Sequence, residues 1–121
     1  MIDHLTLKVR DLARSKAVFA AALAPLGYQI LMEFPGMVGL GADNKPDLWL
    51  SQDPQNSRPT HLAFTAPNRK AVDAFHVAAL AAGAKDNGRP GIRADYHPTY
   101  YAAFVLDENG HNIEAVVHRP E

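Results

Sequence analysis

One pattern of hydrophobic and polar positions occurs twice along this chain. Residues 2–9 alternate between apolar and polar side chains, which predicts a β-strand. The alternation returns at residues 60–66, and the two strands carry a histidine at the same place, His4 and His61, 57 positions apart. We therefore expect two similar strands that each present one histidine.

The segments after these strands repeat as well. Asp11 and Asn68, also 57 positions apart, can cap a helix with a side-chain oxygen. Apolar residues at helical spacing follow each cap, and Gly27 and Gly83 are typical helix ends. A register kept across strand, cap and helix favours internal duplication over chance.

The remaining apolar segments are short, β-prone and separated by turns. Further strands are predicted at residues 28–34, 37–41 and 47–51, a ragged strand and a long loop at 85–99, and two last strands at 100–106 and 112–118. The sequence thus predicts an α+β fold with two βαβββ modules, residues 1–52 and 60–119, joined by a linker at 53–59 in a single domain of residues 1–121.

Composition narrows the functional class. Hydrophobic residues make up 47% of the chain and charged residues 21%, as in ordinary globular proteins. A formal charge of −1 provides no basic field for nucleic acid and no polybasic membrane patch, so neither partner is expected. The chain has no cysteine, which excludes thiolate chemistry and cysteine-ligated zinc.

Secretion and membrane insertion are not predicted. Asp3 stands where a signal peptide would be basic. The most apolar region, residues 18–32, is interrupted by Pro25 and Gly27 and is shorter than the roughly 20 apolar residues of a membrane span. The absence of cysteine suits a reducing compartment, and we expect a cytoplasmic protein.

The last predicted strand contains one carboxylate, Glu114, among apolar and β-branched residues. An unpaired buried carboxylate is unfavourable, so Glu114 should have a partner or a metal ion. With His4 and His61 it completes two imidazoles and one carboxylate, the ligand set of open divalent-metal sites. A hydrogen-bonded or edge position is the ordinary role of a single strand histidine, and the duplication favours a shared metal site.

Other residues are candidates for contact with a substrate. His97 and Tyr101 are predicted to be catalytic, because a cleft beside a metal needs titratable groups. The predicted substrate-binding residues are Trp49, Arg93, Tyr96 and Tyr100. For the aromatic residues the alternative is packing, and for the arginine it is solvent. His111, in a turn, is expected to be exposed.

The repeated histidine strand and the ending at residues 107–114, Asp-Glu-Asn-Gly-His-Asn-Ile-Glu, resemble the vicinal oxygen chelate superfamily of glyoxalases, bleomycin-resistance proteins and extradiol dioxygenases. Residues 84–91 and 96–104 further resemble a bacterial single-domain subfamily that is mostly uncharacterised. The resemblance implies a homodimer, sometimes with exchanged modules. It also implies a divalent Fe, Mn, Ni or Zn ion that chelates two oxygens of a small substrate.

The chain departs from that family at a fourth ligand position. Glyoxalase I has a glutamate there. Aligning the two module ends puts Trp49 at the position in module 1 that matches Glu114 in module 2. Classical glyoxalase I activity is therefore not expected. Two hypotheses remain: a metal-dependent lyase or dioxygenase-type enzyme, and a metal-free protein of the bleomycin-resistance type that binds a small molecule between Trp49 and Tyr101.

Overall fold

The computed structural model describes residues 1–121 and contains two βαβββ modules, which confirms the predicted α+β class. Module 1 contains β1 (Leu5–Val9), α1 (Leu12–Leu23), β2 (Gln29–Phe34), β3 (Met37–Gly41) and β4 (Leu48–Gln52), with a 3-10 helix at Ala24–Leu26. Module 2 contains β5 (His61–Thr65), α2 (Arg69–Ala81), β6 (Lys85–Ile92), β7 (Tyr101–Leu106) and β8 (Asn112–Val117).

Each module forms its own four-stranded mixed sheet. Sheet A has the order β1-β4-β3-β2 and sheet B the order β5-β8-β7-β6, and the first pair in each is parallel. Thr6 of β1 lies opposite Trp49 of β4, and Ala63 of β5 lies opposite Glu114 of β8. The two sheets therefore have the same register, and Trp49 and Glu114 occupy equivalent positions.

Side-chain caps begin both helices, as predicted. Asp11 Oδ1 accepts from the backbone N–H of Arg14 at 3.2 Å, and Asn68 Oδ1 accepts from that of Ala71 at 2.8 Å. Helix α1 ends earlier than its apolar spacing predicts, because the chain tightens into the 3-10 helix before Gly27 takes a φ of +95°.

The two helices join the modules into one core. Each helix packs on its own sheet, the helices pack against each other, and no strand of sheet A pairs with a strand of sheet B. Twenty-one buried residues from both modules form one hydrophobic cluster around this helix pair. The face of each sheet that points away from its helix, here called its outer face, carries the other half of the alternating side chains.

The predicted ragged strand and loop occupy the edge of sheet B. Strand β6 pairs with β7 with register shifts between Asp86 and Gly88 and between Gly88 and Gly91. The loop of residues 93–100 follows, closed by the backbone bond from Arg93 N–H to Tyr100 O at 2.7 Å. No helix in the structure is long and apolar enough to span a membrane.

Candidate functional site

The structure places Glu114 at the centre of a polar cluster on the outer face of sheet B. Its side chain is only 1% exposed. Glu114 Oε1 lies 2.7 Å from His61 Nε2, and Glu114 Oε2 accepts a hydrogen bond from the Tyr100 hydroxyl. We call these three residues the Glu114 cluster. It confirms that the carboxylate has partners, as the lone charge in an apolar strand requires.

The loop of residues 93–100 covers the carboxylate and orders Tyr100. The Tyr100 ring makes edge-on contacts with Tyr96 and His118, with ring centroids 5.1 and 5.0 Å apart. Thr99 ties the same loop to the strand end by donating to the carbonyl of His118. Burial, followed by the hydrogen bond to Glu114, raises the pKa of Tyr100 to about 12, so the phenol keeps its proton near neutral pH.

Phe104 and Arg93 continue the same outer face. Phe104 of β7 lies opposite Glu114 in the register, and its ring centroid is 6.2 Å from that of His61. The Arg93 guanidinium carbon lies 5.3 Å from the Phe104 ring centroid. An imidazole, a buried carboxylate, a phenol and a guanidinium are thus grouped around one aromatic ring.

His4 does not join this group within one chain. Its Nδ1 lies 2.6 Å from Asp3 Oδ1, and Lys45 Nζ lies 2.9 Å from Asp3 Oδ2. The hydrogen bond from His4, followed by that from Lys45, lowers the pKa of Asp3. The expected convergence of His4, His61 and Glu114 in a single chain is therefore absent, since His4 contacts Asp3 whereas His61 contacts Glu114.

A divalent metal ion requires that its predicted ligands lie close together in the structure. A 2-His-1-carboxylate site needs three converging ligands, and no group of three histidine or acidic side chains is close enough to hold an ion. His61 Nε2 and Glu114 Oε1 do converge, at 2.7 Å, and the His61 side chain is 53% exposed. One chain therefore provides two ligands of the predicted set, and its residues alone do not fit the complete site.

Trp49 lies on the outer face of sheet A, away from the Glu114 cluster. Its ring stacks on Phe34, with centroids 6.1 Å apart and planes 19° apart. Gly39 lies beneath the ring, where a Cβ atom would come within 2.9 Å of the indole carbons. The missing side chain lets the indole lie flat on the sheet beside Phe34, which is 56% exposed.

The structure places Tyr101 on the helix side of sheet B. Its hydroxyl donates to Asp73 Oδ1 of α2 at 2.6 Å, and the Arg69 guanidinium carbon is 5.0 Å from its ring centroid. The hydrogen bond to Asp73, followed by burial, raises the pKa of Tyr101. Tyr101 therefore faces away from Glu114, and the expected cleft between Trp49 and Tyr101 does not form in this chain.

His97 and Tyr96 lie at the surface of the covering loop. His97 Nδ1 accepts from the Thr99 backbone N–H at 3.1 Å, so the imidazole organises its own turn and does not contact Glu114. Tyr96 is 67% exposed and reaches the cluster only through its ring contact with Tyr100. Of the predicted substrate-contact residues on sheet B, Tyr100 contacts the carboxylate directly, and Arg93 contacts Phe104, the register neighbour of Glu114.

The expectation that His111 is exposed is wrong. It is fully buried, and its Nδ1 accepts from the Thr60 backbone N–H at 3.1 Å, immediately before His61. Asp107 Oδ1 in turn accepts from the His111 backbone N–H at 2.8 Å. The sequence separation of 51 residues between His111 and Thr60 explains why no local pattern indicated this contact.

Phe34 and Phe104 are further site residues that the sequence analysis missed. The sequence contained a signal for Phe104, because every second residue of a strand points to the same face of the sheet as the matching residues of the neighbouring strand. Phe34 gave no such signal, because its stacking on Trp49 depends on the pairing of β2, β3 and β4.

No protein-family model matches the chain, and no curated protein matches it. Solved structures do match. A glyoxalase/bleomycin resistance protein from Albidiferax ferrireducens is 27% identical, with a TM-score of 0.82 and 98% of both chains covered. A glyoxalase/bleomycin resistance protein/dioxygenase family enzyme from Burkholderia phytofirmans is 19% identical, with a TM-score of 0.75 over 98% of both chains.

The fosfomycin resistance protein FosX from Mesorhizobium loti is 16% identical, with a TM-score of 0.70, covering 98% of this chain and 92% of that one. At such identities the likeness concerns the fold. The histidine strands and the final Ile-Glu motif resemble the vicinal oxygen chelate superfamily. That resemblance agrees with the element order, with the repeated register and with these structural neighbours. This chain has the fold of the vicinal oxygen chelate superfamily.

Proposed function

We propose that the protein is a metal-dependent enzyme, of lyase or dioxygenase type, that acts on a small oxygen-bearing substrate between two copies of the chain. The observation that carries this proposal is the convergence of His61 Nε2 and Glu114 Oε1 at 2.7 Å on an outer face of the sheet. His61 and Glu114 of one copy supply two ligands, and His4 of the second copy supplies the third. The ion is Fe, Mn, Ni or Zn.

The free edges of both sheets support a homodimer. Strands β1 and β5 are the outermost strands of their sheets, so each has one edge without a strand partner. Exposed edge strands and exposed apolar side chains favour association, and Phe34 on the outer face of sheet A is 56% exposed. A second copy that places its sheet A against sheet B brings the equivalent positions His4 and His61 to one site.

A bound divalent ion would supply Lewis-acid stabilisation to a substrate oxyanion. The chain's own residues supply the surroundings. Tyr100 holds one oxygen of Glu114 and so orients the carboxylate, while Phe104 and the covering loop exclude water from it. Trp49 cannot act as a base at the position equivalent to Glu114, which argues against classical glyoxalase I chemistry.

The test is metal analysis of single variants and of their mixture. The wild-type protein, purified without a histidine tag, should contain stoichiometric metal, and H4A and H61A should each lose it. Hybrid dimers of H4A with H61A contain one site with all three ligands intact. Co-expression of the two variants should therefore restore metal to about one of the two sites, as counted by elemental analysis of the hybrid.

The control is H97Q, since His97 is an exposed histidine that does not contact Glu114. It should keep wild-type metal content. Hybrids that stay metal-free while the wild type is loaded would exclude a site between copies. A metal-free wild-type protein would exclude the metal-dependent function itself.

The metal-free binding function remains as a second candidate, favoured by a specific observation. Both oxygens of Glu114 are satisfied by protein groups without an ion, and Trp49 and Phe34 form a flat aromatic surface on sheet A. This candidate predicts ligand-dependent quenching of Trp49 fluorescence that persists after chelation. Loss of all ligand binding on chelation would exclude it.

A further inference from the structure

We propose that Arg93 binds the carboxylate of an anionic ligand on the outer face of sheet B, so that the substrate class is a small carboxylate with a flat or apolar body. This inference rests on the proposed function only in placing the ligand on that face, and it holds for the metal-dependent and the metal-free candidates alike.

Strand β6 forms a cradle for the Arg93 guanidinium. Arg93 Nη1 donates to the carbonyl of Gly91 at 3.0 Å, and Nη2 donates to the carbonyl of Arg89 at 2.7 Å. A Cβ atom at Gly88 would lie 3.1 Å from Nη2, and one at Gly91 would lie 3.2 Å from Nη1. The two glycines therefore leave the space that the guanidinium occupies, at the register shifts of this strand.

Phe104 completes the cradle from the neighbouring strand. The guanidinium carbon lies 5.3 Å from the ring centroid, within the range of a cation–π contact. Two strand carbonyls and one ring thus hold the side chain, so little rotamer entropy remains to be lost when Arg93 binds a ligand.

The held guanidinium has no acidic partner. No carboxylate oxygen lies within 4.0 Å of Arg93, whereas the exposed Arg14 makes an ion pair with Glu108 at 2.9 Å. A guanidinium has five N–H donors, and the two carbonyl bonds use two of them. A half-buried cation with free donors is suited to bidentate recognition of a planar carboxylate.

The surroundings of Arg93 indicate what else the ligand carries. Phe104 lies between Arg93 on one side and His61 on the other, and it is the register neighbour of Glu114. A carboxylate held by Arg93 therefore leaves the rest of a small ligand over aromatic surface and close to the Glu114 cluster. That arrangement favours a flat or apolar body next to the charged group.

The test is a titration with benzoate and with benzamide, which has a similar shape but no charge. Binding is followed by the backbone amide NMR signals of β6 and β7 in chelator-treated wild-type protein, R93Q and R89Q. Arg89 is the matched control, because its side chain is exposed on the same strand and its carbonyl remains in the variant. Benzoate should bind saturably to wild type and R89Q, and roughly tenfold or more weakly to R93Q. Benzamide should not distinguish the three proteins.

Equal benzoate affinity of wild type and R93Q would overturn the inference, as would equal binding of benzoate and benzamide or no saturable benzoate binding by wild type. If R93Q does not fold, R93K replaces it, because lysine keeps the charge but lacks the planar fork. R93K should bind benzoate more weakly than wild type, and unchanged affinity would again overturn the inference. The metal content of H61A is measured separately, so a failed metal site and a failed carboxylate site give different results.

Discussion

Tyr100 and Tyr101 are adjacent in the chain and donate hydrogen bonds to carboxylates on opposite sides of sheet B. Tyr100 reaches Glu114 on the outer face, whereas Tyr101 reaches Asp73 on α2. Their order in the sequence could not decide which tyrosine meets Glu114, because that depends on where the loop ends and β7 begins. At the residue scale, the functional role therefore follows from the strand register.

Tyr28 provides a pH prediction at this scale. Its hydroxyl donates to Asp47 Oδ2 at 2.9 Å, and burial, followed by this hydrogen bond, raises the pKa of Tyr28 in the folded state. This raised pKa stabilises the folded state. The stabilisation is fully present below the ordinary tyrosine pKa of about 10 and is lost as the pH rises through the pKa that Tyr28 has in the folded state. D47N should lower the pH at which Tyr28 ionises and weaken the decline of unfolding free energy above about pH 10.

Ring-labelled tyrosine NMR titration and urea unfolding at several alkaline pH values measure both effects. D95N, in the covering loop, is the control, since Asp95 is exposed and makes no hydrogen bond to Tyr28. An unchanged Tyr28 titration in D47N would show that the hydrogen bond has no part in the shift.

The helices and strand β6 show how local chemistry determines an element. Neither helix has an acidic residue in its first turn, so the side-chain caps are the main local stabilisation of the helix N-termini. Strand β6 tolerates Pro90, Gly88 and Gly91 because it is the outermost strand and pairs on one side only. The same irregularity that made residues 85–99 hard to assign also makes the space for Arg93.

The cap of α2 gives a prediction at the element scale. N68A should lower the free energy of unfolding by about 1 kcal/mol, because the Ala71 backbone N–H loses its side-chain acceptor. N68D keeps an acceptor oxygen and should retain most of the stability. Urea unfolding measures all three proteins, and equal stability of N68A and wild type would contradict the role of the cap.

At the scale of the whole molecule, the helix pair joins the two modules around one buried core. Residues from both helices and both sheets share one buried cluster, with Leu23 of α1 and Val72 of α2 both fully buried. A shared core of this kind predicts a single cooperative unfolding transition. The same packing leaves the outer face of each sheet uncovered by its helix.

Trp49 reports on module 1, which makes this coupling measurable. V72A in module 2 should lower the unfolding free energy by roughly 1–3 kcal/mol and shift the fluorescence transition of Trp49 by the full amount. V77A is the matched control on the same helix, since Val77 is 68% exposed and should change little. A Trp49 transition that does not move in V72A would show that the modules unfold independently.

Much of the fold was determined by the sequence alone. The 57-residue repeat, the two caps and the alternation within the strands are local patterns, so they predicted the modules, the equivalence of His4 with His61 and a partner for Glu114. The cytoplasmic location and the homodimer are expectations from composition and resemblance, and they stay predictions.

The way in which these parts are brought together depends on contacts between segments that are distant in the sequence. Alternation assigns a side chain to one face of its own sheet, but the direction in which that face points depends on how α1 packs on α2. Pairing of β5 with β8 brings His111 to Thr60, and pairing of β6 with β7 places Arg93 over Phe104. His4 contacts Asp3, whereas His61 contacts Glu114. The physical reason is that burial between segments distant in sequence sets these contacts, and a local pattern of residues does not contain that information.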